Sequence, residues 1–464
     1  MKTIVICGQL FVGTEDTARP NQALVIENGR ITHVLPHAAL PTAQPDDLVI
    51  DHSAHFVMPG LSDLHTHLSY GNARSEEEVD LYPCLEYRAI RALAGAQRML
   101  AAGYTALLDP ASSGLVGTAL RDALHVGMFP GPRVTSAGPA ITSRQGLYDY
   151  YPSWVGCPPC STGRLVRSLP EAIETIREQT KNTVDIIKIA MDGIQGGNSG
   201  GLYAAFTQEE TTAMVREAHR LGRKVAVHVR GAEGALYAAR AGVDILYHAS
   251  RISEEGVRAA ASEGCSICPS LMLLVNNIEY AQPDDPSYDW WPNIQRRELA
   301  DASVSLRRAY DAGIPFLSGS ETGFAVTPYG EFCARELSVM MRYLDIGSAE
   351  VLQMATNRNR RVLRAGHEHD SLAIGKRADF LVFDGNPLHD ISQLEERGRF
   401  LEIWMDGRKI VLPEMPVEIP RHPSENSQGM WSRVYTRATT LQRKAEDTAL
   451  PPGTLVQDLP EEFA

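Results

Sequence analysis

From Val57 to Gly319 the chain repeats one pattern: a short apolar run, a polar interruption, then a segment of helical period closed by glycine. The strand candidates are 57–64, Thr105–Asp109, Arg133–Ser136, Val184–Ile189, Lys224–His228, Asp244–His248, Ser266–Pro269 and Pro315–Gly319. Between them Glu86–Ala102, Gln208–Leu221, Gly234–Ala241, Glu254–Glu263 and Arg297–Ala312 carry apolar residues at helical spacing. Gly103, Gly222, Gly242, Gly264 and Gly313 stand where a helix C-terminus wants a left-handed residue. Eight such units over about 300 residues is the count of a (β/α)8 barrel. A doubly wound sheet is the alternative α/β arrangement, but it would gather its ligand at one switch-point crevice. Here polar residues recur at many strand ends, which favours the barrel.

The two flanks of this region read as short strands. Ala23–Glu27 and Arg30–Val34 enclose Asn28-Gly29, a strong two-residue hairpin signal, and Leu48–Asp51 follows. Ala378–Asp384, Phe400–Trp404 and Arg408–Val411 are again short strands. Either set is too thin to bury a core alone. One small β-sandwich built from both chain ends, with the barrel inserted, satisfies both. The expected division is 1–56 and 367–419 for the β-sandwich, 57–366 for the barrel, and 420–464 for a C-terminal tail. A helix-like stretch around Trp431–Ala445 would put Trp431 and Tyr435 on one face, suited to a contact with a neighbouring subunit of a homo-oligomer.

Charge narrows the partners. The net charge is −13, from 44 basic and 57 acidic residues, with no basic run, so nucleic acid and anionic membranes are poor partners and a small molecule is the expected one. The apolar run at the N-terminus is too short for a signal peptide, and no run approaches the roughly 20 residues of a membrane span. A cytoplasmic protein is expected. Seven cysteines, an odd number, argue against a disulfide framework. Cys157-Pro158-Pro159-Cys160 lies in a loop, whereas Cys265 and Cys268 in an apolar strand face opposite sides and cannot chelate together.

The chemistry sits at the strand ends. The first strand delivers His65 and His67, which share one side of an extended chain. The fourth carries Lys188 among aliphatic residues, the fifth ends in His228, the sixth in His248, and the eighth runs into Glu321. In a barrel these ends converge on one mouth. Four histidines, a lysine and a carboxylate suit one or two divalent cations such as zinc, cobalt or manganese.

Met58-Pro59-Gly60-Leu61-Ser62-Asp63-Leu64-His65-Thr66-His67, His228-Val229-Arg230-Gly231-Ala232-Glu233-Gly234, Tyr247-His248-Ala249, Gly319-Ser320-Glu321-Thr322-Gly323 and Ile374-Gly375-Lys376-Arg377-Ala378-Asp379 form an ordered set. That set resembles the amidohydrolase superfamily, in the branch of imidazolonepropionase-like enzymes and metal-dependent prolidases. The resemblance implies that His65, His67 and Glu321 hold a buried metal. It also implies that His228 and His248 hold a second, and that Lys188, carboxylated by CO2, bridges the two. Glu321 and His248 are then the catalytic residues, Glu321 moving the proton of the attacking water to the leaving nitrogen.

Three departures bear on the substrate. Relatives carry Asp where Glu321 stands, so one or two metals remain open. Arg230 replaces a His or Tyr, and Ile141–Gly146 replaces a Gly-Gly-His-Gly turn that prolidase-like relatives use for the substrate carboxylate. Arg230 or Arg144 still offers a bidentate fork for a carboxylate. Tyr151 and Trp154 after the third strand, and Trp290 and Trp291 after the seventh, read either as an apolar pocket or as a subunit contact. As a pocket they point to a small, largely apolar substrate, similar to those of the carbamate, thiocarbamate and phenylurea hydrolases. The expected function is hydrolysis of an amide-like bond by metal-activated hydroxide. An Xaa-Pro or N-acyl amino acid dipeptidase, a deaminase and a non-catalytic binding protein are the alternatives.

Overall fold

A computed structural model describes residues 2–193, 202–414 and 429–440. Three sheets organise it. Strands Leu61–Asp63, Tyr104–Asp109 and Arg133–Ser136 form one parallel sheet. Strands Ile186–Ala190, Lys224–Val229, Ile245–His248 and Ser266–Cys268 form the parallel body of a second, extended by Ala140–Thr142 and Gly163–Leu165. A single bridge, Ala137 to Ile186, joins the two on one side, and on the other Ile267 bridges to Phe316 of the eighth segment. Leu64 N donates to Ser318 O at 3.1 Å and brings the eighth segment back to the first. The order around the ring is that of the expected barrel, with these three seams in place of a continuous ladder.

The period of two along each strand sorts the core. Ile186, Ala226, Ile245 and Tyr247 pack in one inner cluster, while Ile187, Val225, Val227 and Leu246 join the large cluster under the helices. Lys188 is in phase with Ile186, and His228 with Ala226, so both face inward. The helices Leu85–Ala101, Gln208–Arg220, Ala232–Arg240, Glu254–Glu263 and Trp291–Asp311 lie where the periodicity puts them, and their five closing glycines all have positive φ.

The β unit draws on both chain ends as expected, and its strands are hydrogen-bonded as one seven-stranded sheet. The order is Arg408–Lys409, Phe400–Met405, Phe380–Phe383, Leu48–Pro59, Thr3–Leu10, Arg19–Glu27, Arg30–Pro36. Asn28 (φ 51°) and Gly29 (φ 77°) make the expected hairpin turn with two left-handed residues. Leu48–Pro59 pairs with strands from both ends and so runs across the 56/57 boundary. No helix among the described residues is long and apolar enough to cross a membrane.

Around Trp431 the chain is not helical; only Arg437–Thr440 is, and residues 441–445 lie outside the described residues. Trp431 (6% exposed) and Tyr435 (3%) are buried against this chain's own barrel, with Met272, Val326 and Phe332. These two aromatics are therefore spent within the protomer and are not free to meet a neighbouring subunit.

Candidate active site

Asp63 ties the first and eighth strand ends together. Its Oδ1 accepts the backbone N–H of His65 at 2.9 Å and of Ser320 at 3.0 Å. His67 N then donates to Thr322 O at 2.8 Å, and Thr322 N to His65 O at 3.2 Å. This double clamp fixes Glu321 beside His65 and His67 in a left-handed conformation, φ 53°. His248 also has positive φ, 65°, and Ala249 N donates to Tyr247 O at 2.9 Å, closing a three-residue turn around it. By simple alternation His248 would point outward like Leu246. The turn breaks that phase and aims its ring at the mouth. Ala249 (φ 51°) and Ser270 (φ 53°), whose Oγ lies 2.7 Å from His65 Nδ1, are left-handed too, and four such non-glycine residues at one site is strain of the kind stored where function needs a fixed geometry.

The strand ends meet as the sequence requires. The His65 ring lies 5.0 Å from that of His67 and 5.2 Å from that of His248, and His228 is 4.6 Å from His248 between ring centroids. His248 Nε2 is 3.1 Å from His228 Nδ1 and 3.8 Å from Glu321 Oε1. One donor atom from each of His65, His248 and Glu321 falls within 4.8 Å of the others, all three residues being buried. This group mixes members of the two ligand sets that the resemblance separates: His248 takes the place expected of His67. Lys188 Nζ sits 3.7 Å over the Tyr247 ring.

These donors suit a cation. His67 Nδ1, His248 Nδ1 and Glu321 Oε2 are buried without a hydrogen-bond partner, a cost that a bound cation would remove. Burial holds the imidazoles of His65, His228 and His248 well below their usual range and His67 down at about 3, so all four are neutral at pH 7, the form in which an imidazole can bind a cation. Burial also raises Glu321 to about 7, against the pull of Arg230 and Lys188. It lowers Lys188 to about 7, against Glu321.

Arg230 is in the site, though not as a free fork. Its Nη1 is hydrogen-bonded to Glu298, and its Nη2 lies 3.8 Å from Glu321 Oε2. Glu298 has no exposed surface and also accepts from Ser250 Oγ at 2.7 Å. Asp192 accepts from the backbone N–H groups of Arg230 and Gly231 and approaches His228 Nε2 at 4.0 Å. Neither Glu298 nor Asp192 is visible in sequence as a site residue, because a carboxylate inside a helix or after a strand reads as ordinary surface charge.

Above the cluster is a cavity of about 120 Å³. The two aromatic loops reach it through different members than expected. Tyr148 and Tyr150 line it, whereas Tyr151 does not and Trp154 is 86% exposed. Trp291 lines it, whereas Trp290 does not and is 44% exposed. Arg144 is exposed and borders a separate groove with Arg167 and Glu210. Tyr70, Phe324 and Trp431 also line it, together with Glu76 and the aliphatic Leu147, Leu202 and Leu273, and no local pattern in the sequence marks them for it. All seven cysteines are free thiols.

Comparison with known proteins places the chain among relatives. The model of the Amidohydrolase family matches residues 56–410. The chain is 26% identical over 433 residues to an ochratoxinase of Aspergillus niger, covering 88% of this chain and 86% of that protein. A solved Xaa-Pro dipeptidase with methionine bound in its active site superposes with a TM-score of 0.76 at 28% identity, over 88% of this chain and all of that one. The structure of a molinate hydrolase gives a TM-score of 0.72 at 20% identity, over 91% and 98% of the two chains, a likeness of fold alone.

Proposed function

Because the chain belongs to the amidohydrolase family, and so is a hydrolase acting on C–N bonds, we propose that it cleaves an amide, carbamate, thiocarbamate or urea bond of a small, largely apolar molecule. The observation that carries this reading is the buried His65–His248–Glu321 group at the foot of an aromatic-walled cavity. His65, His248 and Glu321 would hold one divalent ion, zinc, cobalt or manganese. His67, His228 and a carboxylated Lys188 would complete a second position. When bound, such an ion acidifies water and polarises a carbonyl.

The chain's own groups do the rest. Glu321 takes a proton from the attacking water and returns it to the leaving nitrogen, which requires a pKa near the working pH. Arg230, 3.8 Å away, steadies its ionised form, and Glu298 in turn holds Arg230. Tyr148, Tyr150, Trp291 and Phe324 shelter the site from bulk water. With Arg230 engaged by Glu298 and Arg144 outside the cavity, no cation on these two residues is free to take a dipeptide carboxylate, which favours an uncharged substrate. The test is a panel of anilides, carbamates, ureas and Xaa-Pro dipeptides, run on chelated and metal-reconstituted protein. Metal-dependent cleavage of the uncharged members supports the reading. Cleavage of dipeptides alone would overturn the substrate class, and no cleavage at all would overturn the activity.

A further inference from the structure

The segment 429–435 lies beyond residue 410, where the family match ends, yet two of its residues line the cavity beside His65, Lys188 and Glu321. It is fastened along its length. Trp431 N donates to Arg74 O at 3.3 Å, Tyr435 N to Ala325 O at 2.8 Å, and Ser287 Oγ to Met430 O at 2.7 Å. Asp285 gathers the centre: it accepts from Ser432 N at 2.8 Å, Ser432 Oγ at 2.9 Å and the Tyr435 hydroxyl at 2.6 Å. At Gly429 the strap runs so close to the barrel that a Cβ would meet Arg74 O at 2.2 Å. The strap is therefore a fixed wall.

Trp431 is set with its polar atom satisfied and its ring toward the cavity. Its Nε1 donates to Asn277 Oδ1 at 3.1 Å, and Asn277 is itself oriented by donating Nδ2 to Leu273 O at 2.9 Å. From the metal-binding cluster outward, the rings form a continuous series. His67 stacks on Tyr70 at 4.2 Å, Tyr70 meets Phe324 edge-on at 5.1 Å, and Phe324 meets Trp431 at 5.8 Å. Such a series offers ring faces and edges, and no charge, from the reacting centre to the strap.

We infer that the 429–435 strap is part of the substrate pocket and that Trp431 contacts the face of an aromatic group carried by the substrate. The inference rests on the hydrolase reading above and specifies its substrate: a flat ring on one side of the scissile carbonyl. Asp285 is the positioning residue: its carboxylate accepts the backbone N–H of Gln282 at 2.7 Å and otherwise takes the strap's Ser432 and Tyr435, which holds Trp431 in place.

Binding separates this inference from the question of turnover. Dissociation constants of acetanilide and of N-tert-butylacetamide are measured by ligand-observed NMR on the wild type, Trp431→Phe and Trp431→Leu. Both variants keep an apolar side chain at the buried position, and only Phe keeps a ring face. Acetanilide is expected to bind Trp431→Leu about tenfold more weakly and Trp431→Phe within about threefold of wild type, on the scale of an aromatic pair. N-tert-butylacetamide should not distinguish Phe from Leu. Asp285→Asn should weaken acetanilide in the same sense, with Trp431 left unaltered. Equal acetanilide binding by the wild type and Trp431→Leu would overturn the inference, as would equal losses for both amides. Binding that follows the expected pattern without any hydrolysis would sink the hydrolase reading and leave this one standing.

Discussion

Arg230 and Glu298 form a buried ion pair whose other side is the candidate catalytic carboxylate: Nη1 bonds Glu298 while Nη2 stands 3.8 Å from Glu321 Oε2. Removing one partner of such a pair leaves an uncompensated buried charge, at a cost of about 3–5 kcal/mol. Glu298→Gln should therefore lower the unfolding free energy by about 3 kcal/mol in urea titration. Joint replacement by Arg230→Met and Glu298→Leu should recover much of that loss, because the Arg230 charge leaves with its partner and Glu321, already raised to about 7 by burial, can take up a proton once Arg230 no longer faces it. A double variant no more stable than Glu298→Gln would show that the pair is not the source.

Lys188 carries the second prediction. Burial brings its amine down to about 7, so a substantial share is neutral at pH 7 despite the Tyr247 ring 3.7 Å below it, which favours the cation. A neutral amine attacks CO2 to form a carbamate and releases one proton, turning a would-be cation into a two-oxygen anion among neutral imidazoles. Lys188→Ala should cut activity by at least about 100-fold, since lesser supporting groups at metal sites already cost about 10–100-fold. Added short carboxylic acids should restore part of it. Full activity in the variant would remove Lys188 from the metal-holding set.

The glycines that close five of the helices and the histidines at the first, fifth and sixth strand ends are legible in the sequence, through the helix C-cap and, for His65, His67 and His228, the period of two. What is not legible follows from tertiary competition for hydrogen bonds. The expected eighth strand, Pro315–Gly319, makes one bridge at Phe316, since Ser318 N goes to Asn359 Oδ1 and Ser320 N to Asp63 Oδ1. The expected helix at Trp431 does not form because the N–H groups of Trp431, Ser432 and Tyr435 are taken by Arg74, Asp285 and Ala325. His248 is recognisable by its place at a strand end. The left-handed turn that brings it to the site depends on residues around it that carry no pattern.

Asp80 gives a pH prediction away from the candidate metal cluster. It ends the helix Glu76–Asp80 with no exposed surface, and burial raises its carboxyl from 3.8 to about 7. A raised carboxyl keeps its proton longer in the folded state. Its contribution to stability is thus complete below about pH 4 and is lost as pH rises through about 7. Asp80→Asn removes this dependence and should stabilise the protein at pH 8 by about 1–3 kcal/mol, each tenfold change in proton affinity being worth about 1.4 kcal/mol before solvent relaxation. Urea unfolding at pH 5 and pH 8 reads it out. The same fall between the two pH values in the variant would assign the effect to another group.

Glu321 is the sharpest case, because one carboxylate is asked both to hold a cation and to carry a proton. Its Oε1 faces His248 at 3.8 Å and its Oε2 has no hydrogen-bond partner, so the two oxygens are already differentiated. Glu321→Gln keeps the shape and removes the proton acceptor. General base catalysis is worth about 10²–10⁴-fold, so turnover should fall by at least about 100-fold. The metal content of the same sample, by elemental analysis, tells the two roles apart. Lost turnover with metal retained assigns the proton-carrying role, whereas loss of both assigns Glu321 chiefly to holding the ion. A variant that keeps near-normal turnover would remove Glu321 from the chemistry, leaving His248 to carry it.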